Sequence, residues 1–245
     1  MNAIEARGLT KRFGPKTAVN QMNLTVREGE LFALLGVNGA GKTTAIRMMT
    51  CLSVPTEGEC SICGHSCLTE QKEVKRLIGI SPQDTAVAEN LTVAENLTFM
   101  ARVYGYDRNG ANRRAQEMIS LFRMEEVAGS RARTLSGGWK RRLSIAMALI
   151  GDPKVLFLDE PTLGLDVLAR RELWRVIEGL KGRITILLTT HYMEEAENLA
   201  DRIAVMIGGR IVECGTLAEL EAASGKTGLE EAFVAIAERS VAGDA

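Results

Sequence analysis

Leu31-Phe32-Ala33-Leu34-Leu35-Gly36-Val37-Asn38-Gly39-Ala40-Gly41-Lys42-Thr43-Thr44 decides the fold. Five consecutive apolar residues read as a strand covered on both faces, since a wetted face would show polar alternation. Gly36 to Thr43 then matches the pattern G-x-x-x-x-G-K-[ST], a turn whose backbone N–H groups face inward and cradle phosphates. Glycines permit that backbone without side-chain clashes. Lys42 brings a positive charge to the β- and γ-phosphates, and the Thr43 hydroxyl suits a magnesium ion. Thr43 to Cys51 reads as a helix, stopped before Pro55, whose start adds further N–H donors.

A second element lies downstream. Val155-Leu156-Phe157-Leu158 is another buried-strand run, and it delivers Asp159 and Glu160 to the strand's end. Ligands bind at that edge in open α/β sheets. Asp159 can hold a metal directly or through water, and Glu160 can orient or deprotonate an attacking water.

Further strands are predicted at Ile4 to Leu9, Met22 to Val26, Ile78 to Ile80, Thr185 to Leu188, Ile203 to Ile207 and Arg210 to Cys214. Gly208-Gly209 between the last two is a hairpin signal. Helical spacing marks Leu91 to Val103, Ala111 to Phe122, Gly138 to Leu149, Ala169 to Leu180, Glu194 to Ala200, Leu217 to Ala223 and Leu229 to Ala237. Strands alternating with helices predict an α/β fold with a mostly parallel sheet. The expectation is a phosphate-loop core formed by residues 1–83 and 151–223, with antiparallel strands at the N-terminus. A helical subdomain is expected at 84–150 and a short helical tail at 224–245.

The 245 residues carry 30 basic and 31 acidic side chains, for a net charge of -1. That balance offers no footing for a nucleic-acid partner, whose phosphates ask for a basic surface. No apolar run approaches the roughly 20 residues of a spanning helix, so any membrane part must come from a partner. Five cysteines and no leader segment suggest free thiols in a reducing compartment. Cys60-x-x-Cys63 with His65 and Cys67 is too compressed for the usual pair-plus-pair zinc site. It reads equally well as a strand running into a turn.

Between the cradle and the Asp-Glu strand sits Leu135-Ser136-Gly137-Gly138-Trp139, followed by Lys140-Arg141-Arg142. In that order and spacing the chain resembles the ATP-binding cassette family from about Ile4 to Leu220. The resemblance implies ATP and Mg²⁺ as ligands. Gly36, Asn38, Gly39, Ala40, Gly41, Lys42, Thr43 and Thr44 would then surround the phosphates, and Phe13 would stack on adenine. It makes Gln83 a contact to Mg²⁺ and water alongside Thr43 and Asp159, and His191 a contact to the γ-phosphate beside catalytic Glu160 and Lys42. Ser136, Gly137 and Gly138 would close on the nucleotide of a second cassette subunit, identical or paralogous, and Asp166 would communicate across that pair. Ser136 also stands where it can cap a helix.

Glu89 to Leu97 resembles the part that docks a permease, and the stretches around Asp166 and His191 resemble exporter-type cassettes serving separate membrane permeases. The expected location is therefore the cytoplasmic face of the cell membrane. The alternative is a repair- or translation-associated cassette, but the coiled-coil insertion or second cassette of those groups is missing. Trp139 departs from the usual glutamine and Val37 from a frequent proline. The second change touches only a position whose backbone matters.

Overall fold

A computed structural model describes residues 1–243. Two long strands, β1 (Asn2–Phe13) and β2 (Lys16–Arg27), form a hairpin, followed by β3 (Leu31–Leu35) and helix α1 (Lys42–Met49). Then come β4 (Glu57–Ile62), β5 (His65–Ser66), α2 (Gln71–Leu77) and β6 (Ile78–Ser81). Three helices follow: α3 (Val93–Val103), α4 (Arg108–Leu121) and α5 (Gly137–Leu149). The chain continues through β7 (Val155–Asp159), α6 (Val167–Glu178), β8 (Thr185–Thr190), α7 (Met193–Leu199), β9 (Arg202–Ile207) and β10 (Arg210–Gly215). It closes with α8 (Leu217–Ser224) and α9 (Leu229–Gly243). The last two residues of the tail expected at 224–245 lie outside the described residues.

The strands form two sheets. One is antiparallel in the order β2-β1-β4-β5, and the other runs β10-β9-β3-β8-β7-β6. In the larger sheet β9, β3, β8, β7 and β6 are parallel, and β10 folds back on β9. The fold is thus α/β with a mostly parallel sheet and N-terminal antiparallel strands, as the run patterns imply.

The larger sheet separates two cores, and the alternation of side chains assigns them. Leu31, Ala33 and Leu35 of β3 join Leu156, Leu158, Ile186 and Leu188 on the face covered by helices α3 to α7. Phe32 and Leu34 join Val155, Phe157 and Leu187 on the face covered by the smaller sheet and α1. Successive residues of a strand point to opposite faces, so a strand between two cores must be apolar throughout.

β1 and β2 extend well beyond the expected Ile4–Leu9 and Met22–Val26. Register shifts at several points let the hairpin continue into residues such as Lys11, Arg12 and Lys16, whose polarity hides the strand from a period-two pattern. Helix α2 went unpredicted because only Val74 in it is buried, too little for a helical stripe to show. Helix α6 starts at Val167, two residues before the expected Ala169, because the Asp166 side chain accepts from the Ala169 N–H at 2.9 Å and caps the first turn.

The three helices between β6 and β7 are anchored to the sheet through α5. A Cβ on Gly79 of β6 would fall inside contact distance of the Ala148 carbonyl oxygen and stand 3.1 Å from the Pro153 ring. Gly79→Ala is therefore expected to destabilise the protein by about 2 kcal/mol, the usual cost of overpacking. Urea denaturation checks this, and an unchanged midpoint would show that α5 shifts freely.

Candidate functional site

The phosphate loop leaves β3 at its C-terminal edge. Gly36 N–H donates to the Thr190 carbonyl at 3.2 Å, and the Gly209 N–H donates to the Ala40 carbonyl at 3.0 Å. Two of the glycines are required by close approach. A Cβ on Gly36 would collide with the Met206 carbonyl, and one on Gly41 with the Ala18 carbonyl. Gly41 also has φ of 108°, which L side chains rarely adopt. It directly precedes α1, so the first turn of that helix points its free N–H groups into the loop.

Lys42 is buried, at 5% exposure. Its Nζ donates to the carbonyls of Gly36 at 2.6 Å and Val37 at 3.3 Å, and it lies 3.1 Å from the Glu160 carboxylate. One ammonium thus reaches both the loop and the end of β7. Thr43 Oγ1 donates to Asp159 Oδ1 at 3.1 Å, and Thr189 Oγ1 donates to the same oxygen at 2.6 Å. A hydroxyl and a carboxylate meeting at the strand edge are hard oxygen donors of the kind Mg²⁺ takes.

Glu160 stands in the left-handed region, at φ of 49°, a conformation that costs a non-glycine residue free energy and persists only when its surroundings hold it. Here its N–H donates to the Thr189 carbonyl and hydroxyl, both at 3.1 Å. Its Oε1 faces Lys42, and its Oε2 lies 2.8 Å from His191 Nδ1. His191 follows β8 directly and its ring packs against Tyr192, with centroids 4.1 Å apart. A buried carboxylate fixed between a lysine and a histidine can accept a proton from a water placed before it.

Asn38, Gly39, Ala40, Gly41, Lys42, Thr43, Thr44, Gln83, Glu160 and His191 line one cleft, together with Lys16, Ala18 and Leu163. Phe13 does not line it. It sits half exposed near the tip of the β1–β2 hairpin, with Lys11 Nζ 5.2 Å from its ring. Ser136, Gly137 and Gly138 lie outside the cleft at the start of α5. Ser136 occupies the capping position, but its side chain makes no capping bond, contrary to the capping expectation, and so its hydroxyl stays uncommitted. Asp166 is also outside the cleft and caps α6.

Four contributors escaped the sequence. Thr189 braces the Asp159 carboxylate and the Glu160 backbone N–H, yet in a buried strand it reads as filler. Arg141 donates to the carbonyls of Pro82 at 2.7 Å and Gln83 at 2.6 Å, which fixes the loop carrying Gln83. Burial pulls its pKa below the ordinary arginine value, against an upward pull from Asp159, Asp84 and Glu195. Lys16 and Ala18 reach the cleft only because the hairpin folds over it.

The cysteine-rich stretch is a hairpin. Cys60 of β4 and Cys67, just past β5, bring their Sγ atoms 2.8 Å apart, and His65 turns to Glu70 at 2.9 Å. Among the described residues no group of three or more His, Cys, Asp or Glu is placed to hold a metal ion. Trp139 carries the Arg142 guanidinium over its ring at 4.5 Å, and Arg142 pairs with Glu172 of α6.

Residues 19–163 match the family model described as ABC transporter. The chain belongs to the ABC transporter family. Its relatives include the daunorubicin/doxorubicin resistance ATP-binding protein DrrA of Streptomyces peucetius, 42% identical over 91% of this chain and 68% of that protein. The Nod factor export ATP-binding protein I of Burkholderia lata is 42% identical over 86% of this chain and 70% of its own length. The chain matches 12% of the much longer human phospholipid-transporting ATPase ABCA3, at 43% identity over 82% of this chain. Among solved structures, the cassette MJ0796, a dimer in a post-hydrolysis state bound to ADP and Pi, superposes with a TM-score of 0.79 at 26% identity. That match covers 87% of this chain and 98% of MJ0796. As an ABC transporter subunit the protein binds and hydrolyses ATP. No helix among its described residues is long and apolar enough to cross a membrane.

In this ABC transporter subunit Gly41→Ala strains the loop twice, by clash and by dihedral. Strain of about 1–3 kcal/mol corresponds to a loss of MgATP affinity of about fivefold to 150-fold. Isothermal titration calorimetry measures it, and wild-type affinity would mean that the loop binds phosphate in another shape.

Proposed function

We propose that the chain is the ATP-driven motor of an exporter, working as a pair of cassettes on the cytoplasmic face of a membrane and coupled to a separate permease. The observation that carries the hydrolytic part is Glu160, held at positive φ between Lys42 and His191 and one residue beyond the Thr43–Asp159 contact.

Under this reading Lys42 and the N–H groups of Gly39 to Thr44 bind the phosphates. Thr43, Asp159 and Gln83 would hold Mg²⁺, which would supply charge neutralisation at the phosphates. Glu160 takes the proton from the attacking water. His191 holds the carboxylate in place and faces the γ-phosphate. Phe13, exposed at the hairpin tip, offers its ring to adenine. Ser136, Gly137 and Gly138, remote from their own chain's cleft, offer a free hydroxyl and helix N–H groups to the nucleotide of the second subunit, with Asp166 at the junction. The core of 1–83 and 151–223 and the helical part of 84–150 are the two bodies that such a cycle moves.

An apolar groove supports the permease. It runs beside α3, lined by Leu52, Ile80, Pro82, Met100 and Tyr104, with Leu52, Phe99 and Val103 exposed around it. Contiguous exposed apolar surface marks an interaction site. Export is favoured by the kinship with a drug-resistance and a Nod factor export protein, and the cargo we infer is a small amphipathic molecule. Transport into inside-out vesicles containing the chain and its permease tests direction, and ATP-driven movement the opposite way would refute export.

Two outcomes are expected. Glu160→Gln keeps MgATP binding, loses turnover by about a hundredfold or more, and accumulates as a closed dimer on gel filtration with ATP. A monomer with normal turnover would remove Glu160 from the mechanism. Leu52→Asp combined with Val103→Asp leaves MgATP affinity unchanged but abolishes copurification with the permease. Retained copurification would place docking elsewhere.

A further inference from the structure

Glu195 is the third residue of α7 and is fully buried, at 0% exposure. Its Oε1 accepts from Trp174 Nε1 of α6 at 3.0 Å. The hydroxyls of Thr190 and Thr162 stand beside the same carboxyl. Thr190 Oγ1 accepts from the Tyr192 N–H at 3.0 Å, which leaves its own proton free to point at Glu195. Glu195 Oε2 and Thr162 Oγ1 complete no hydrogen bond, and with Arg170 Nε they are the buried side-chain atoms left without a partner among the described residues. All three belong to the segments that meet at the α6–α7 junction. No basic side chain forms an ion pair with Glu195 among the described residues.

A buried carboxyl with no ion-pair partner is costly as an anion, even with the Arg141 charge acting on it from farther off. Burial raises the Glu195 pKa above the ordinary range, and the charge of Glu160 pushes the same way, against the downward pull of the neighbouring Thr190, Trp174 and Thr162 groups. A carboxyl offers two acceptor oxygens, so one group can stand before hydroxyls and an indole N–H together.

The three partners are not scattered. Thr190 is the residue before His191. Thr162 is two residues past Glu160. Trp174 lies two turns into α6, the helix capped by Asp166. The first turn of α6 also touches the start of α5, where a Cβ on Gly138 would stand 3.1 Å from Ala169 Cβ and one on Gly137 3.8 Å from a Leu165 methyl.

We propose that Glu195 is a positioning residue of the hydrolytic site, whose buried carboxyl holds Trp174, packs beside Thr190 and Thr162, and so fixes His191, Glu160 and the Asp166 loop relative to one another. The role rests on the proposed hydrolysis at Glu160. It acts through geometry alone, so the side chain that matters is one with an oxygen acceptor at the same place. Glutamine has one, and leucine, of similar volume, has none.

The test compares Glu195→Leu and Glu195→Gln in the full chain with MgATP. Glu195→Leu is expected to lower kcat about tenfold to a hundredfold, the scale of a small misplacement of catalytic groups, with the ATP Kd unchanged within a factor of about three. Glu195→Gln is expected to keep at least about a third of wild-type kcat, since the acceptor is conserved. Trp174→Phe, which deletes one donor and keeps the packing, is expected to lower kcat without changing the ATP Kd. In the Glu160→Gln background, Glu195→Leu is expected to lose the ATP-driven dimer and Glu195→Gln to keep it. Wild-type kcat in Glu195→Leu overturns the inference and leaves the hydrolytic reading standing. A parallel fall of kcat and melting temperature in both Glu195 variants also overturns it, because a merely structural carboxylate behaves so. Absence of turnover in the wild-type chain, with MgATP bound, overturns both.

Discussion

One carboxylate oxygen organises the molecule. Asp159 Oδ1, at the end of β7, receives hydroxyl protons from Thr43 at the start of α1 and from Thr189 at the end of β8. Three elements far apart in the chain are thereby brought to one height at the edge of the sheet. Charge-assisted hydrogen bonds in a buried setting are among the stronger polar contacts, and Asp159 is only 4% exposed. The neighbouring Glu160 inherits its position from this fixed point, and its positive φ is tolerable because Thr189 holds its N–H from two sides.

The alignment depends in turn on parallel register. Asp159 pairs with Thr189, and Leu35 with Thr190. Apolar side chains on both faces hold that register, because a slip of one residue would exchange the two cores. The chemistry at the edge and the packing beneath it are therefore one constraint. The glycines of the loop belong to the same constraint, since Gly36 and Gly41 are pressed against the backbone of β9 and β2.

What the sequence revealed follows from how locally each feature is encoded. The runs Leu31–Leu35 and Val155–Leu158, the glycine spacing and the Asp159-Glu160 pair are contiguous, so fold class and nucleotide chemistry were legible. The hairpin's true length was hidden because its outer residues are charged and its ladder is irregular. Helix α2 was hidden because it buries one side chain. Arg141, Thr189 and Glu195 were invisible for another reason: each acts through partners 21 to 58 residues away in the chain. A lone buried threonine or a glutamate on a helix carries no pattern. Ser136 sits where the pattern places a cap, yet only the geometry reveals that its hydroxyl is uncommitted.

The strand order also has a consequence for synthesis. β3, which carries the phosphate loop, is made early, but its two neighbours in the sheet, β8 and β9, are among the later strands to be made. On the ribosome the loop emerges long before the strands that shape it, and its apolar stem has no partner on either side meanwhile. Pairings so distant along the chain are slow to form and expose sticky surface while they wait. The loop gains its brace at Ala40 only once the Gly208-Gly209 turn has been made, so its apolar stem waits unpaired through the long interval in which the helices of the middle region are being translated.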